Sequence, residues 1–321
     1  MRGSRCGMTD AGIDLVGGDW TPDSLVMPYS VSKAFAALPA LVLADRGLLD
    51  LDAPLQRYWP EFGADVTLRQ VLSHQSGIVG ISDPAPMDVL YDWDRACELL
   101  ARSELAWSPG TAIGECALFY GHLVGEPVRR VDGRSLGTFL REELTAPLGI
   151  EFYIGLSAAE QQRVVDLQGL AKFADALAGK PDLYRRSIGN PPGAFDSSVV
   201  NGAAFRAAEV PAINGHGSAR GIAQMYVDLA GGRILSADLL TEMTSAQCSG
   251  VDQVMGSDLS WGFGVAVDGD GFGMGGTGGH YGGWSHVGGY AFGFVTALMG
   301  THDRGERLEA ALLEVIGAPA L

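Results

Sequence analysis

The chain has 321 residues, 47% of them hydrophobic and 19% charged, the make-up of a globular protein with a sizeable core, which excludes a disordered chain. Its formal net charge of −16 argues against nucleic acid and anionic membrane as partners, because phosphate surfaces are bound by clustered Lys and Arg. Glycine, at 46 residues, stands at about twice the usual share and crowds between Gly262 and Gly300, where glycine-rich strands are expected.

Ile13–Val16, the Gly17-Gly18 pair and Leu25–Tyr29 predict two short strands around a turn, leading straight into a helix at Ser30. From Phe35 to Val42 the apolar residues are nearly continuous, as in a helix buried on all sides. Pro39 lies inside it and should kink it or cost about 3 kcal/mol, and Gly47 supplies a C-cap. From Val66 to Gly149 the period is mainly helical: Ala117–Val131 spaces Leu118, His122, Val124 and Val128, and Ser135–Leu148 aligns Leu136, Phe139, Leu140 and Leu144. Between Ile150 and Ala212, Pro181, Asn190-Pro191-Pro192-Gly193 and Pro211 mark loops that could form a substrate-shaping wall.

Ser218 caps a helix through Leu229, and a short helical piece covers Leu239–Met243. Leu259–Val267, Phe272–Gly276 and Tyr290–Met299 then predict consecutive antiparallel strands joined by glycine turns. A last amphipathic helix uses Leu308, Leu312, Val315 and Ile316. The fold class is α+β: a sheet domain from residues 1–60 and 213–321, interrupted by a mainly helical domain over 61–212, with the active site at the seam.

Cys6, Cys97, Cys116 and Cys248 are widely spaced, with no C-x-x-C pair and no histidine at metal-ligand spacing, so unpaired thiols are expected. Nothing points to a metal or an organic cofactor. The first residues lack the apolar core of a signal peptide, and no apolar run is long enough to cross a bilayer, so a cytoplasmic location away from membranes is expected.

The chemistry begins at Ser30-Val31-Ser32-Lys33. A serine and a lysine three positions apart project from one helical face, and an amine held beside a hydroxyl can polarise it or take its proton. The other lysines are Lys172 and Lys180. S-x-x-K is the pairing found in active-site serine enzymes that include β-lactamases and penicillin-binding proteins.

Further motifs extend the likeness: Asp45-Arg46-Gly47-Leu48-Leu49-Asp50-Leu51-Asp52-Ala53-Pro54, Leu72-Ser73-His74-Gln75-Ser76-Gly77, Trp107-Ser108-Pro109-Gly110-Thr111 and Asn214-Gly215-His216-Gly217. Over nearly its whole length the chain resembles the serine β-lactamase-related family, the class C β-lactamase-like enzymes and family VIII-type carboxylesterases. The resemblance implies a mostly antiparallel sheet packed by helices on both faces, and acyl-enzyme chemistry at Ser30. The stretch before the serine is shorter than usual, which suggests that outer strands are missing.

Two motifs depart from the family pattern. Where the resemblance expects a tyrosine after Pro109-Gly110-Thr111, the chain has Glu115; where it expects histidine or lysine on the strand edging the site, it has Met274. A carboxylate beside Lys33 would pair with it and favour its protonated form. Met274 leaves a soft apolar wall. Backbone N–H groups of Ser30 and Thr277 are the candidate oxyanion donors, with Gly276, His280 and Trp284 alongside as substrate-binding candidates.

The blander assignments are a packing role for Tyr120 and Cys116, a hydrogen-bonded turn histidine at His74, a loop-orienting His216 and a helix-face His122. His280 or His286 could approach the pocket in place of the missing histidine. The expected function is serine-dependent acyl transfer or hydrolysis of a small ester, thioester or amide through Ser30, Lys33 and Glu115. The alternatives are a cyclase, lyase or isomerase using Glu115 as acid or base, and a small-molecule-binding pseudoenzyme.

Overall fold

The computed structural model describes Gly17 and residues 20–316. The strand expected at Ile13–Val16 lies outside the described residues, as do Cys6 and the side chains of Val315 and Ile316. A short 3-10 turn, Tyr29–Val31, leads into the Ser32–Asp45 helix, so the serine precedes the helix proper by two residues. That helix is buried from Ser32 to Leu43 and runs unbroken through Pro39. Packing offsets the lost N–H of the proline: Phe35 stacks on Phe152 with ring centroids 3.5 Å apart, and the 32–43 stretch sits in the middle of the hydrophobic core.

Leu25–Tyr29 forms only isolated bridges, Leu25 with Val164 and Val26 with Gly217, rather than a strand of the main sheet. Phe152–Tyr153 (β1) and His216–Gly217 (β2) make a small antiparallel pair beside them. The main sheet has six antiparallel strands in chain order: Cys248–Val251 (β3), Asp258–Trp261 (β4), Ala266–Val267 (β5), Gly271–Gly276 (β6), His280–Ser285 (β7) and Tyr290–Phe294 (β8).

Three sequence expectations are corrected in this sheet. The single strand expected over Leu259–Val267 is split, because Gly264, at φ +72°, turns the chain where a Cβ would lie 3.0 Å from Lys33 O. The strand expected to reach Met299 ends at Phe294. β7 is additional, and Gly282-Gly283 in its centre blurs the alternation that signals a strand.

One sheet face packs on the Ala219–Ala230 helix and on the serine turn: a Cβ on Gly282 would meet Ile222, Tyr226 and Val31. The other face lies under the Asp303–Ile316 helix, where Tyr290 OH donates to Glu309. Helices are thus packed on both sides of an antiparallel sheet, and the class is α+β. Ser218 caps the Ala219–Ala230 helix by accepting from Gly221 N, as its sequence predicts.

The helix expected from Ala117 begins at Tyr120. The N–H groups before it are taken by distant chain: Gly114 N by His74 O, Ala117 N by Ser187 Oγ and Leu118 N by Ser187 O. Among the described residues no helix is long and apolar enough to cross a membrane, and Cys97, Cys116 and Cys248 are free thiols.

Candidate active site

The serine is presented on a strained turn. Tyr29, immediately before it, has φ 48°, a left-handed conformation that costs a non-glycine residue about 1–3 kcal/mol. Its buried hydroxyl donates to Ala194 O at 2.8 Å and holds the turn in place. Ser30 is 9% exposed, and Lys33, three residues on, is fully buried.

Glu115 arrives from the other side, itself 5% exposed. Lys33 Nζ donates to Ser30 Oγ at 2.8 Å and lies 2.8 Å from Glu115 Oε1, while Ser30 Oγ donates to the same oxygen at 3.3 Å. Ala117 O and Ala212 O complete the surroundings of Nζ at 3.0 and 3.4 Å. The three side chains expected to form the site therefore meet in one place. The directions of the bonds matter: the amine donates to the hydroxyl, so the hydroxyl proton points at the carboxylate.

Burial pushes the Glu115 carboxyl up, but Lys33, His74 and the hydrogen bond from Ser30 outweigh it and hold it below its ordinary value. It is a carboxylate at neutral pH. His74 sits behind it, buried, with φ 58° and its ring 4.4 Å from Trp261 and 4.9 Å from Tyr120. Burial depresses it to about 4, and neither ring nitrogen has a hydrogen-bond partner among the described residues. The turn expected at His74 is present; the hydrogen-bonded ring is not.

Motif residues quoted for the resemblance build the frame around this cluster. Gln75 O accepts from Gly110 N, His74 O from Gly114 N and Gly77 O from Ala106 N, so the 74–77 segment aligns the 106–114 segment and aims Glu115. Gly77, at φ +79°, approaches Trp107 so closely that a Cβ would lie 2.2 Å from its carbonyl oxygen. Gly215 N donates to Ser32 Oγ at 3.1 Å, tying the 214–217 motif to the serine helix, and His216 Nδ1 contacts Asn214 O.

Two positioning residues carry no sequence signal. Asp252, fully buried in the loop after β3, accepts from Glu115 N at 3.3 Å, Val254 N at 2.9 Å and Trp261 Nε1 at 3.1 Å. Ser187, on the Asp182–Gly189 helix, donates to Glu115 O at 2.7 Å. An aspartate in a turn and a serine near a helix end are ordinary by themselves, and only their distant partners reveal them.

The end of β6 presses on the serine turn. A Cβ on Gly276 would lie 2.0 Å from Pro28 O, so only glycine allows the strand end to approach the turn this closely. Gly276→Ala should push the strand end away, costing about 1–3 kcal/mol of stability and at least about tenfold in kcat/KM, measured by urea denaturation and ester kinetics.

Met274 is 4% exposed on the Gly276 side of the sheet, an apolar side chain within the core. His280, on the same side, is fully buried with its ring 6.5 Å from that of Tyr29; Nδ1 accepts from Thr296 N, and burial depresses it to about 3. Trp284 lies at the opposite end of β7 and donates to Nδ1 of exposed His286. Ser30 Oγ thus bonds to Lys33 and Glu115, whereas His280 and His286 are engaged elsewhere.

Tyr120 OH donates to Leu72 O at 3.2 Å in full burial, a packing tyrosine, and burial raises the Cys116 thiol to about 12. His122, on the Tyr120–Asp132 helix, stacks on Trp93 of the Trp93–Ala101 helix.

The comparisons agree with this architecture. The esterase/beta-lactamase LipL of Mycobacterium tuberculosis is 35% identical over 248 residues, 70% of this chain. The match spans 56% of LipL, so the chain covers about half the length of that curated relative. A crystal structure of a family VIII carboxylesterase superposes with a TM-score of 0.80 at 38% identity, covering 88% of this chain and 80% of that one. EstA from Arthrobacter nitroguajacolicus Rue61a gives 0.83 at 27% identity, covering 94% and 87%. The beta-lactamase family profile matches residues 11–316, and the chain belongs to that family.

Proposed function

We propose that the protein is a serine hydrolase acting on small esters or amides through an acyl-enzyme at Ser30, with Glu115 as the base. The observation that carries this reading is the hydrogen-bond order Lys33 Nζ to Ser30 Oγ to Glu115 Oε1. Ser30 Oγ attacks the substrate carbonyl carbon as its proton passes to Glu115. The carbonyl π electrons move onto oxygen, which in this reading accepts from the Ser30 and Thr277 N–H groups. When the tetrahedral adduct collapses, the bond to the leaving group breaks and Glu115 returns the proton to it. Water, or another hydroxyl or amine acceptor in acyl transfer, then attacks the acyl carbon as the same carboxylate takes its proton; the Ser30 Oγ–acyl bond breaks and Glu115 returns that proton to Oγ. Lys33 stays as a hydrogen-bond donor to Oγ throughout and stabilises negative charge building on it.

The relatives named esterase and carboxylesterase support an ester substrate. A carboxylate held below its ordinary value is a weak base, so turnover should be slow for the family. The same ionisation weighs against Glu115 as the acid of a cyclase, lyase or isomerase, since an acid must hold a proton.

The test is intact-mass measurement after incubation with a fluorophosphonate. One adduct, absent from Ser30→Ala, supports the reading; no adduct on either protein overturns it and leaves binding without catalysis. Activity on an added substrate that survives Ser30→Ala and is lost in Glu115→Gln would instead support chemistry without an acyl-enzyme.

The pH profile supplies a further prediction. Glu115 must be ionised to act as base, and its folded value lies below the ordinary 4.5. kcat/KM for an uncharged ester should therefore stay level from pH 8 down to about 5 and fall only below the ordinary carboxylate range. An acid limb near neutrality would contradict a carboxylate base.

A further inference from the structure

A cavity of about 660 Å³ lies along residues 167–197, within the range of about 300–1,000 Å³ usual for ligand clefts. Three parts of its wall contact or adjoin residues that flank the catalytic machinery. Ala194 accepts the Tyr29 hydroxyl, and the Phe195 ring lies 5.9 Å from the Tyr29 ring, one residue from the nucleophile. Ile188 and Gly189 follow Ser187, whose hydroxyl holds Glu115 O. Gln168 bonds through its backbone to Ala297 O and Met299 N, and a Cβ on Gly278, next to Thr277, would meet Met299 Sδ at 2.3 Å. The cavity is therefore bounded by neighbours of the nucleophile, of the base and of the candidate oxyanion donor.

Its lining is mostly apolar, with Leu167, Leu170, Leu177, Ile188 and Phe195, and the described residues lining it include neither lysine nor arginine. Asp196 supplies the one charged side chain among them. An anionic ligand would meet no cation there. On the Ala171–Leu177 helix, Ala171, Ala174 and Leu177 recur at three-residue spacing on one face, and the two alanines keep the wall low and open to solvent.

We propose that this cavity is the acyl subsite and that it selects esters of uncharged, medium-length aliphatic acids. The proposal rests on Ser30 being the nucleophile. At about 30 Å³ per heavy atom, an eight-carbon acyl chain takes up about 240 Å³, which fits with room to spare. An acetyl group leaves nearly all the apolar wall unused.

The experiment compares kcat/KM for p-nitrophenyl acetate, butyrate and octanoate in the wild type and in Ala174→Trp, whose indole would fill the groove from an exposed helix position. Burying each methylene contributes about fourfold, so octanoate should exceed acetate at least about a hundredfold after the uncatalysed rate is subtracted. Ala174→Trp should cut the octanoate-to-acetate ratio at least about tenfold, with circular dichroism confirming an unchanged fold. A ratio that is flat or falls with chain length, or that Ala174→Trp leaves alone, overturns the proposal while the Ser30 reading stands. If no ester is turned over, the Ser30 reading fails and calorimetry with octanamide judges the cavity separately. Binding weakened at least about tenfold by Ala174→Trp supports an apolar-chain subsite, and no binding to the wild type overturns it.

Discussion

Ser30→Ala should lower kcat/KM for a p-nitrophenyl ester at least about a thousandfold and leave the fold intact. The size of the loss follows from the proposed role. Without the oxygen that forms the covalent bond, only positioning and the backbone donors remain. The small structural effect follows from geometry, because Lys33 and Glu115 contact each other directly at 2.8 Å and stay paired when the hydroxyl is removed. A drop in activity together with unfolding would indicate a structural serine instead. Retained activity would place the chemistry elsewhere. Steady-state kinetics and urea denaturation on the same preparation separate these outcomes.

The second large effect concerns stability. Lys33 and Glu115 are a buried ion pair, and removing one partner strands the other charge in a medium that solvates it poorly. Lys33→Met should therefore cost about 3–5 kcal/mol, and Glu115→Gln should cost less because the amide oxygen can still accept from Lys33 Nζ. The double variant Lys33→Met/Glu115→Leu removes both charges and should recover most of the loss, since a buried pair replaced by apolar side chains is often neutral or stabilising. Urea midpoints of the wild type, Lys33→Met, the single variant Glu115→Leu and the double variant form the cycle that measures the coupling.

The pair also has a pH signature. Glu115 is held below its ordinary 4.5, so its contribution to stability is complete above that value and is lost as pH falls through the lower folded value. The acid side of the stability curve should therefore be steeper in the wild type than in the double variant.

Local periodicity explains why parts of this arrangement were legible in advance. Ser30 and Lys33 are three positions apart, and a helix makes such neighbours meet whatever the rest of the chain does. The buried helix from Phe35 to Val42, the Ser218 cap and the glycine-rich β6 depend likewise on residues a few positions apart. Glu115 was legible only as a motif position, and its counting from Pro109-Gly110-Thr111 named the residue without placing it. The helix start at Ala117 and the unbroken strand over Leu259–Val267 differ from the structure because distant partners take hydrogen bonds that local pattern assigns within the segment: Ser187 holds Ala117 N and Leu118 N, and Met243 O and Leu72 O hold Phe263 N and Gly264 N at the Gly264 turn.

The amino-acid sequence by itself determined the family, the α+β class and the adjacency of the hydroxyl and the amine, because these reside in short motifs and in helical spacing. Tertiary structure alone decided that Glu115 reaches Ser30 across 85 positions, and that Asp252, 137 positions from Glu115, holds its backbone. It also decided that Tyr29 would be strained, that His280 would be buried against it and that an apolar cavity would open at Ala194. These contacts come from packing between segments far apart in the chain. No periodicity within a segment encodes which distant surface will be pressed against it.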